Sequence, residues 1–249
     1  RRHTRWNCDW SSDVCSSDLG GELPLTALDG IPIITGEAEY SSTFENIYTP
    51  GGRIQYLRRA APKIDFSIVP EAWRRAKIIH LAPVAQEVDS VLPADFRPAL
   101  LGLTPQGWMR AWNGEGLVHP CEWQGAEQAL AQAGAVTFSV EDVGQDEELI
   151  EHYAQTGRLL VVTEASAGCR VFWHGDSRRF RAPKVAEVDA TGAGDIFASA
   201  FFVRLLNTRD PWEAARFATQ VASISITRPG MTGVPTAEEI QRCLMEVLE

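Results

Sequence analysis

The sequence predicts an α/β fold in which a doubly wound, mostly parallel sheet is flanked by helices and carries a small β lid. Three observations support this prediction. From about residue 62 to residue 249, buried-type strands alternate with helical segments, which is typical of a parallel sheet with helices on both faces. A strand-rich stretch at residues 22–61 is too short to be a domain of its own. A glycine-rich junction at residues 189–195 leads directly into a helical segment.

Composition and charge restrict the classes of function. The chain has 249 residues and a net charge of -10. A protein that binds duplex nucleic acid normally presents a basic face, so we expect no nucleic acid partner. A membrane-spanning helix needs an uncharged apolar run of about 18 residues or more, and the sequence has none, so we expect no membrane partner. Beyond residue 21, Cys121, Cys169 and Cys243 are scattered without metal-ligand spacing, which favours a reducing cytoplasm.

The first 21 residues are set apart from the rest. The stretch "CDWSSDVCSSDL" is dominated by Ser and Asp and has no amphipathic period. It resembles the translation of a sequencing adapter; the alternative is a naturally disordered N-terminus. We exclude residues 1–21 from the fold prediction, as for a fusion scar, and expect that the natural N-terminus is missing.

Residues 31–58 are expected to form short strands. The run "IPIIT" comes first, and "STFENIYT" and "GGRIQYL" then flank the turn signal Pro50-Gly51-Gly52. Strand formers on both sides of a Pro-Gly turn predict a hairpin. This hairpin is the central part of the predicted lid, residues 22–61.

The body, residues 62–249, is predicted element by element. Strands are expected where short apolar runs end at turn residues, namely at "AKIIHLAP", "ALLGLTP", "AVTFSV", "RLLVVTE", "CRVFWH" and "RRFRAP". The last two are expected to pair around Gly175-Asp176. Helices are expected at "QEVDSVL", "GAEQALAQ" and "DEELIEHYAQ".

Three further helices are expected to close the chain. The first follows the glycine-rich junction at "AGDIFASAFFVRLL". The second begins at Pro211 with Asp210 as N-cap, since Pro is favoured at the first helical position. The third opens with a Thr236–Glu239 capping box.

The junction "DATGAGD", Asp189–Asp195, is the main functional signal. Gly192 and Gly194 allow backbone N–H groups to point outward without a Cβ in the way. Those amides and the positive end of the following helix form an anion site. Asp195, in the first helical turn, can accept a proton from a hydroxyl. An anion site beside a carboxylate base suits phosphoryl transfer to an alcohol; the alternative is a flexible turn before an ordinary helix-start acid.

This stretch resembles the C-terminal signature D-[TA]-x-G-A-G-D of the ribokinase-like, or pfkB-type, carbohydrate kinases, and the resemblance extends over about residues 22–249. It implies that Asp195 is the catalytic base for a sugar hydroxyl. It also implies that the amides of Gly192, Ala193 and Gly194 stabilise the transferring γ-phosphoryl group of ATP. Many members hold a monovalent cation such as K⁺ near the positions of Asp189 and Thr191.

Other segments resemble the family's nucleotide site less completely. The family often carries T-x-G-x-x-G after a strand. Here "TEASAG" keeps Thr163 and Gly168 but has Ala165 in the middle glycine position. The resemblance implies nucleotide contact by Thr163 and Gly168, and the alternative for Thr163 is a strand-end hydroxyl. Thr219 occupies a position beside the adenine where Asn is common.

The N-x-x-E stretch that organises Mg²⁺ in this family is replaced by "SVED". Ser139 stands in the Asn position, and Asp142 or Glu141 supplies the carboxylate. Mg²⁺ accepts any hard oxygen ligand and keeps several waters, so these residues are candidate cofactor and metal ligands. The alternative is an ordinary helix N-cap.

Substrate residues are expected beside the active site and in the lid. Gln106 and Arg110, in "TPQGWMR", lie where relatives carry active-site residues, and Thr43 and Arg53 belong to the lid. The alternative is that these four are solvated surface residues. Closure of the lid would exclude water, which otherwise accepts the phosphoryl group. Family lids often dimerise, so a homodimer through the lid is a further expectation.

The front of the chain departs from the family. Relatives begin with a strand and a glycine-rich segment that supplies much of the sugar site, and neither precedes residue 22. Roughly 60 residues would be needed for the missing units, and a chain without them would lack much of substrate recognition, which leaves its own activity open.

The predicted function is ATP-dependent phosphoryl transfer to a hydroxyl of a sugar, polyol or similar small alcohol. The alternatives are a non-catalytic nucleotide- or sugar-binding remnant and a nucleoside kinase of the same family.

Overall fold

A computed structural model describes residues 4–6, 14–16, 30–36, 38–49 and 52–244. The backbone forms two compact units. The first unit contains residues 1–76, 81–98 and 105–126, and the second contains residues 77–80, 99–104 and 127–249.

The strands and helices follow the chain in a simple order. In the described residues the strands are β1 Thr4–Trp6, β2 Val14–Ser16, β3 Ile33–Thr35, β4 Thr43–Thr49, β5 Gly52–Arg59, β6 Ile78–Leu81, β7 Leu100–Leu103, β8 Arg110–Trp112, β9 Val118–Pro120, β10 Ala135–Ser139, β11 Leu159–Thr163, β12 Cys169–Trp173 and β13 Asp176–Phe180. The α-helices are α1 Ala126–Gln132, α2 Glu147–Thr156, α3 Ala193–Thr208, α4 Pro211–Ser225 and α5 Ala237–Leu244.

The second unit is built on a six-stranded sheet in the order β13-β12-β11-β10-β7-β6. Strand β10 pairs in parallel with both β7 and β11, and β12 and β13 continue the sheet antiparallel. Central β11 is buried throughout its apolar run, as expected for a strand covered on both faces. The fold-class prediction, a mostly parallel sheet flanked by helices, is confirmed.

Aromatic and small side chains pack α3 against this sheet. Phe201 and Phe202 on α3 are fully buried. Strand β7 carries Gly102 opposite Phe202, where an added Cβ would lie 2.6 Å from the ring. Close approach of α3 to β7 therefore requires glycine at position 102.

The helix starts form as the sequence predicts. The Asp210 carboxylate accepts hydrogen bonds from the amides of Trp212 and Glu213 at 2.9 and 3.2 Å. At the start of α5 the Thr236 N–H donates to Glu239 at 2.8 Å, and the Glu239 N–H donates back to the Thr236 hydroxyl at 3.3 Å. These caps satisfy amides that have no partner inside the helix.

The first unit contains the predicted hairpin. Strands β4 and β5 pair antiparallel, and the Gln55 amide donates to Asn46 Oδ1 at 2.9 Å across the pair. Buried Phe44 and Leu57 pack with Ala85. The hairpin is confirmed, while its role as a lid stays a prediction.

Two features of the first unit differ from the sequence prediction. The expected helix at "QEVDSVL" is wrong: Glu87 folds back and accepts hydrogen bonds from the amides of Val84 and Ala85, and Gln86 has a left-handed φ of 61°. The hairpin formed by β8 and β9 was not predicted. Its turn is held by Asn113, whose side-chain oxygen accepts the amides of residues 115 and 117.

The N-terminal segment contributes two short strands to the described residues. Strand β1 pairs with β4, and β2 pairs with β3; the other residues of the 1–21 segment lie outside the described residues, and its adapter origin stays a prediction. Among the residues that the structure describes, no helix is both long and apolar enough to cross a membrane.

Candidate active site

The Asp loop, residues 189–195, joins the segment after β13 to the start of α3. Gly192 is the N-cap of α3, with a left-handed φ of 79°, a conformation that glycine adopts without penalty. The Ala193 N–H donates to the Ala190 carbonyl at 3.2 Å. An added Cβ at Gly194 would meet no atom within 4 Å. The first turn of α3 therefore presents open space beside Gly194.

The direction of α3 places this loop at the carboxyl edge of the sheet. Leu205 and Arg209, at the far end of α3, line the same cleft as Ala99 and Gly134, which directly precede β7 and β10. The C-terminal end of α3 therefore lies at the amino edge, and its N-terminal end lies toward the carboxyl edge. Asp195, in the first turn, is exposed. Ligands of open α/β sheets bind at this carboxyl edge.

Asp189 holds the Asp loop to the segment after α4. Its carboxylate accepts hydrogen bonds from the amides of Thr191 at 3.0 Å and Gly230 at 2.9 Å. The Ile226 carbonyl accepts the amides of Val188 and Asp189 at 2.8 and 3.1 Å. Burial raises the pKa of Asp189, but the hydrogen bonds from Gly230 and Thr191 outweigh it and hold the pKa below its ordinary value. The side chain is thus an ionised anchor of the loop.

The ends of β10 and β11 bring two predicted residues together, because Ser139 and Thr163 are direct partners in the parallel register. Ser139 caps the short 3-10 turn that follows: its hydroxyl accepts the Glu141 amide at 3.2 Å, and its own N–H donates to Asp142 at 2.9 Å. Glu141 is exposed. The Thr163 hydroxyl donates to the Phe138 carbonyl at 3.4 Å. The N-cap alternative is therefore present in the structure, beside an exposed carboxylate.

The loop after β11 contains two residues with a positive φ, Ala165 and Gly168. Ala165, in the position where the family has glycine, has a left-handed φ of 48° and is exposed. Gly168 has a φ of 99°, and an added Cβ there would overlap the Phe180 carbonyl oxygen. Gly168 is therefore required by the packing of β13, whether or not a nucleotide is bound.

Thr219 lies inside the second unit. It is 5% exposed, its hydroxyl donates to the Ala215 carbonyl at 2.7 Å, and the same oxygen lies 3.5 Å from Cys169 Sγ. These contacts engage the hydroxyl with the protein. Contact of Thr219 with an adenine stays a prediction.

The four predicted substrate residues belong to the first unit. The Thr43 hydroxyl donates to the Ser41 carbonyl at 3.1 Å, and the Arg110 carbonyl accepts the Gln86 side-chain amide. Gln106 lies half-buried in a 3-10 turn. Arg53 lies in β5, and its side chain is outside the described residues. Their contact with substrate stays a prediction.

Sequence reasoning missed the segment that supports the Asp loop from the C-terminal side. Gly230 and Ile226 contact Asp189 through backbone atoms, which leave no side-chain pattern. The one available signal was the Pro229-Gly230 turn dipeptide. Among the described residues, no group of three or more His, Cys, Asp and Glu side chains is arranged to hold a metal ion.

Known proteins that match segments of this chain belong to the family that the Asp loop resembles. Residues 126–237 match the model of the "pfkB family carbohydrate kinase". Ribokinase of Bacillus subtilis (strain 168) is 39% identical over 88 residues, which are 34% of this chain and 29% of that protein. The fructokinase of Klebsiella pneumoniae is 29% identical over 133 residues, which are 47% of this chain and 43% of that protein. The matched segments thus span less than half the length of these curated relatives.

Solved structures share the fold. A pyrophosphate-dependent kinase in the ribokinase family superposes with a TM-score of 0.71 at 19% identity, over 87% of this chain and 79% of the other. Ribokinase of Arabidopsis thaliana, complexed with ribose and ATP, superposes with a TM-score of 0.68 at 16% identity, over 94% and 81% of the two chains. The fold is that of the ribokinase-like kinases, and the segment that matches the pfkB family of carbohydrate kinases, residues 126–237, contains the Asp loop.

Proposed function

We propose that this chain carries the phosphoryl-transfer centre of a kinase that moves the γ-phosphoryl group of ATP to a hydroxyl of a sugar, polyol or similar small alcohol. The observation that carries the proposal is the Asp loop: exposed Asp195 directly follows the glycine amides at the start of α3, at the carboxyl edge of the sheet. A base and an anion site on one rigid helix end meet the main requirements of phosphoryl transfer, which are positioning and charge stabilisation.

Asp195 acts as the base in this proposal. The attacking hydroxyl gives its proton to the Asp195 carboxylate as its oxygen bonds to the γ-phosphorus, and the bond to the β-phosphate oxygen breaks. The position of Asp195 in the first turn of α3 favours its ionised form, because the helix N-terminus is the positive end of the macrodipole.

The amides of Gly192, Ala193 and Gly194 stabilise the phosphoryl group during transfer. The first amides of a helix have no partner inside the helix and point outward. Gly194 offers the clearest approach, since the space where its side chain would be is open. Ala193 contributes less, because its N–H already donates to the Ala190 carbonyl.

The nucleotide is proposed to lie along the ends of β10 and β11. Ser139 and Thr163 are adjacent there, and the exposed 165–167 segment follows. Mg²⁺ is usually bound through one or two protein carboxylates together with substrate phosphates and water. Glu141 and Asp142 fit that donor chemistry and are the proposed carboxylates; the ion would neutralise phosphate charge. Asp189, held ionised, and Thr191 are proposed for a monovalent cation.

The acceptor is proposed from the named relatives together with the first unit. Relatives named ribokinase and fructokinase make ribose and fructose the first acceptors to test. Thr43, Arg53, Gln106 and Arg110 remain the proposed acceptor contacts. The exposed Tyr40 and Ile54 beside and within the hairpin support a homodimer through the lid, and a cytoplasmic location follows from the proposed use of ATP.

The test is an activity assay of the full chain with Mg²⁺-ATP and a panel of ribose, fructose and myo-inositol. Turnover is measured as the release of ADP. Asp195→Asn should lower turnover by about 10²–10⁴-fold, the usual contribution of general acid–base catalysis, while ATP binding by calorimetry is retained. Glu148→Gln, an exposed first-turn acid of α2, is the matched control and should keep full turnover. Undiminished turnover in Asp195→Asn would remove the proposal.

A specific observation favours a second candidate, a nucleotide-binding protein without transfer activity. The Ser139 hydroxyl accepts the Glu141 amide, the Asp142 carboxylate accepts the Ser139 N–H, and the Thr219 hydroxyl donates to the Ala215 carbonyl in the core. Binding of ATP without ADP release on any acceptor of the panel would support this candidate. Turnover with pyrophosphate in place of ATP, the donor named for the first structural relative, would keep the transfer chemistry and correct the donor.

A further inference from the structure

The Asp loop is supported by a turn that lies between α4 and α5. Residues Gly230–Gly233 form a 3-10 turn, and its first amide donates to the Asp189 carboxylate at 2.9 Å. An added Cβ at Gly233 would lie 2.5 Å from the Ser225 carbonyl oxygen at the end of α4. The turn is therefore pressed against α4 on one side and bonded to the Asp loop on the other.

An ion pair fixes the same turn to α5. Arg228 donates to both carboxylate oxygens of Glu239, at 3.1 and 2.9 Å, and its Nη2 lies 3.5 Å from the Gly233 carbonyl. Glu239 also accepts the Thr236 amide at 2.8 Å. A bidentate pair of this kind fixes orientation as well as distance. Arg228 thus bridges the two ends of the turn and the first helical turn of α5.

The pair remains ionised at neutral pH. The hydrogen bond from Arg228 lowers the pKa of Glu239, and the Thr236 amide lowers it further. Both side chains are mostly covered, with exposures of 32% for Arg228 and 16% for Glu239. The pair is therefore a charged and largely covered contact between the turn and α5.

We propose that Arg228 and Glu239 are positioning residues for the Asp loop: through Gly230 and Asp189 they set the placement of the Gly192–Asp195 amides and carboxylate. The inference rests on the proposed function for its catalytic consequence, but the mechanical coupling stands without it. The hydrogen bonds described for Arg228 and Glu239 join them to each other, to the Gly233 carbonyl and to the Thr236 amide. Their effect passes through the backbone amide of Gly230 to the carboxylate of Asp189.

The chain offers a matched control. Arg204 on α3 pairs with Glu213 on α4 at 2.5 Å, with side-chain exposures of 24% and 20%. As with Glu239, the carboxylate keeps a second partner when its arginine is removed, because Arg216 also donates to Glu213. The Arg204–Glu213 pair makes no contact with the Gly230–Gly233 turn or the Asp loop in the described interactions, so Arg204→Met reports the general cost of losing such a pair.

The first measurement is amide hydrogen exchange by mass spectrometry on the full chain, comparing Arg228→Met, Arg228→Lys and Arg204→Met. Exchange in peptides covering residues 188–195 should rise several-fold in Arg228→Met, stay at the wild-type rate in Arg204→Met, and return part of the way in Arg228→Lys. An unchanged rate in Arg228→Met, or an equal rise in Arg204→Met, overturns the inference.

The second measurement is the steady-state rate of phosphoryl transfer. It is made at a temperature well below the thermal unfolding midpoint of each variant. Arg228→Met should lower kcat by about tenfold with little change in KM, because misplaced catalytic groups cost turnover more than binding. An unchanged kcat despite faster exchange overturns the catalytic part of the inference. Faster exchange in a chain that transfers no phosphoryl group at all confirms the coupling and rejects the proposed function, so the two failures are distinct.

Discussion

The carboxylate of Asp189 accepts a hydrogen bond from the backbone N–H of Gly230, 41 residues further along the chain, at 2.9 Å. The other carboxylate oxygen accepts the Thr191 amide at 3.0 Å. One side chain therefore closes the Asp loop on itself and joins it to the segment between α4 and α5.

Asp189→Asn should destabilise the protein by about 1–3 kcal/mol, because the amide group of Asn places a donor where the protein offers an N–H. The pKa of Asp189 is lowered in the folded state, so its stabilisation is present above the unfolded value near 3.8 and is lost as pH falls through the folded value. Urea unfolding at pH 7 and pH 3 should show a smaller gap between wild type and variant at pH 3. Equal stability of the two proteins at pH 7 would contradict the anchoring role.

Gly194→Ala should separate folding from function. The added methyl group meets no protein atom within 4 Å, and alanine is favoured over glycine inside helices by up to about 1 kcal/mol. The unfolding midpoint should therefore stay or rise, while phosphoryl transfer falls, because the methyl group occupies the open approach to the amides. Ser199→Ala, at an exposed position of the same helix, is the control and should keep its activity. Full activity of Gly194→Ala would mean that the phosphoryl group approaches elsewhere.

Ala165→Gly should stabilise the protein, against the usual direction for such a change. A left-handed residue with a Cβ costs roughly 1–2 kcal/mol, and the unfolded-state entropy of glycine offsets about 0.4–1 kcal/mol of the relief. Thermal unfolding should therefore show a small gain. Ala167→Gly, in the same exposed turn but without a positive φ, should instead lose stability. A loss of equal size in both variants would refute the strain at position 165.

His80 should make the protein sensitive to mild acid. Its Nε2 lies 2.9 Å from the Thr104 hydroxyl, and its ring packs against Phe202. Burial lowers the pKa of His80 from 6.5 to about 4. Between these values the unfolded chain binds a proton that the folded chain does not, so stability is full above pH 6.5 and declines as pH falls toward 4. The His80 side chain is only partly buried, which moderates the effect. We therefore expect the free energy of unfolding to fall by about 1–3 kcal/mol between pH 6.5 and pH 4.

The measurement is the free energy of unfolding of wild type and His80→Gln from pH 7 to pH 4. The variant should be less stable at pH 7 but should show a flatter pH dependence. His152→Gln, at an exposed position on α2, should keep the wild-type slope. A parallel decline in wild type and His80→Gln would assign the acid sensitivity to other groups.

Local signals were sufficient to predict most of the second unit. Alternating buried strands and capped helices are encoded by neighbouring residues, as at Asp210 and at the Thr236–Glu239 box, and both caps form. The first unit was harder. The left-handed Gln86 breaks the expected helix at its first residue, and the Glu87 carboxylate accepts the amides of Val84 and Ala85 instead. The β8–β9 hairpin carries an Asn113-Gly114 turn signal, but its three-residue strands show no alternation.

The candidate site was predictable where side chains carry the proposed chemistry, and it was not predictable where backbone groups support them. Asp195 and its glycines form a recognisable pattern, and the structure places them at an exposed helix start. The support from Gly230 and Ile226 consists of an N–H group and a carbonyl, which every residue type provides, so only the fold reveals it. The burial of Thr219 likewise depends on α4 packing against β12, which the local sequence does not specify.

The packing around Gly168 restricts which positions of this loop can be varied by mutagenesis. The strand β13 passes so close to it that any side chain would strike the Phe180 carbonyl, while the three residues before it face solvent. Under the proposed nucleotide contact of this loop, attempts to change the donor preference should therefore randomise positions 165–167 and leave position 168 unchanged. A library that includes position 168 would discard clones for failing to fold and would mistake that loss for a failure of recognition.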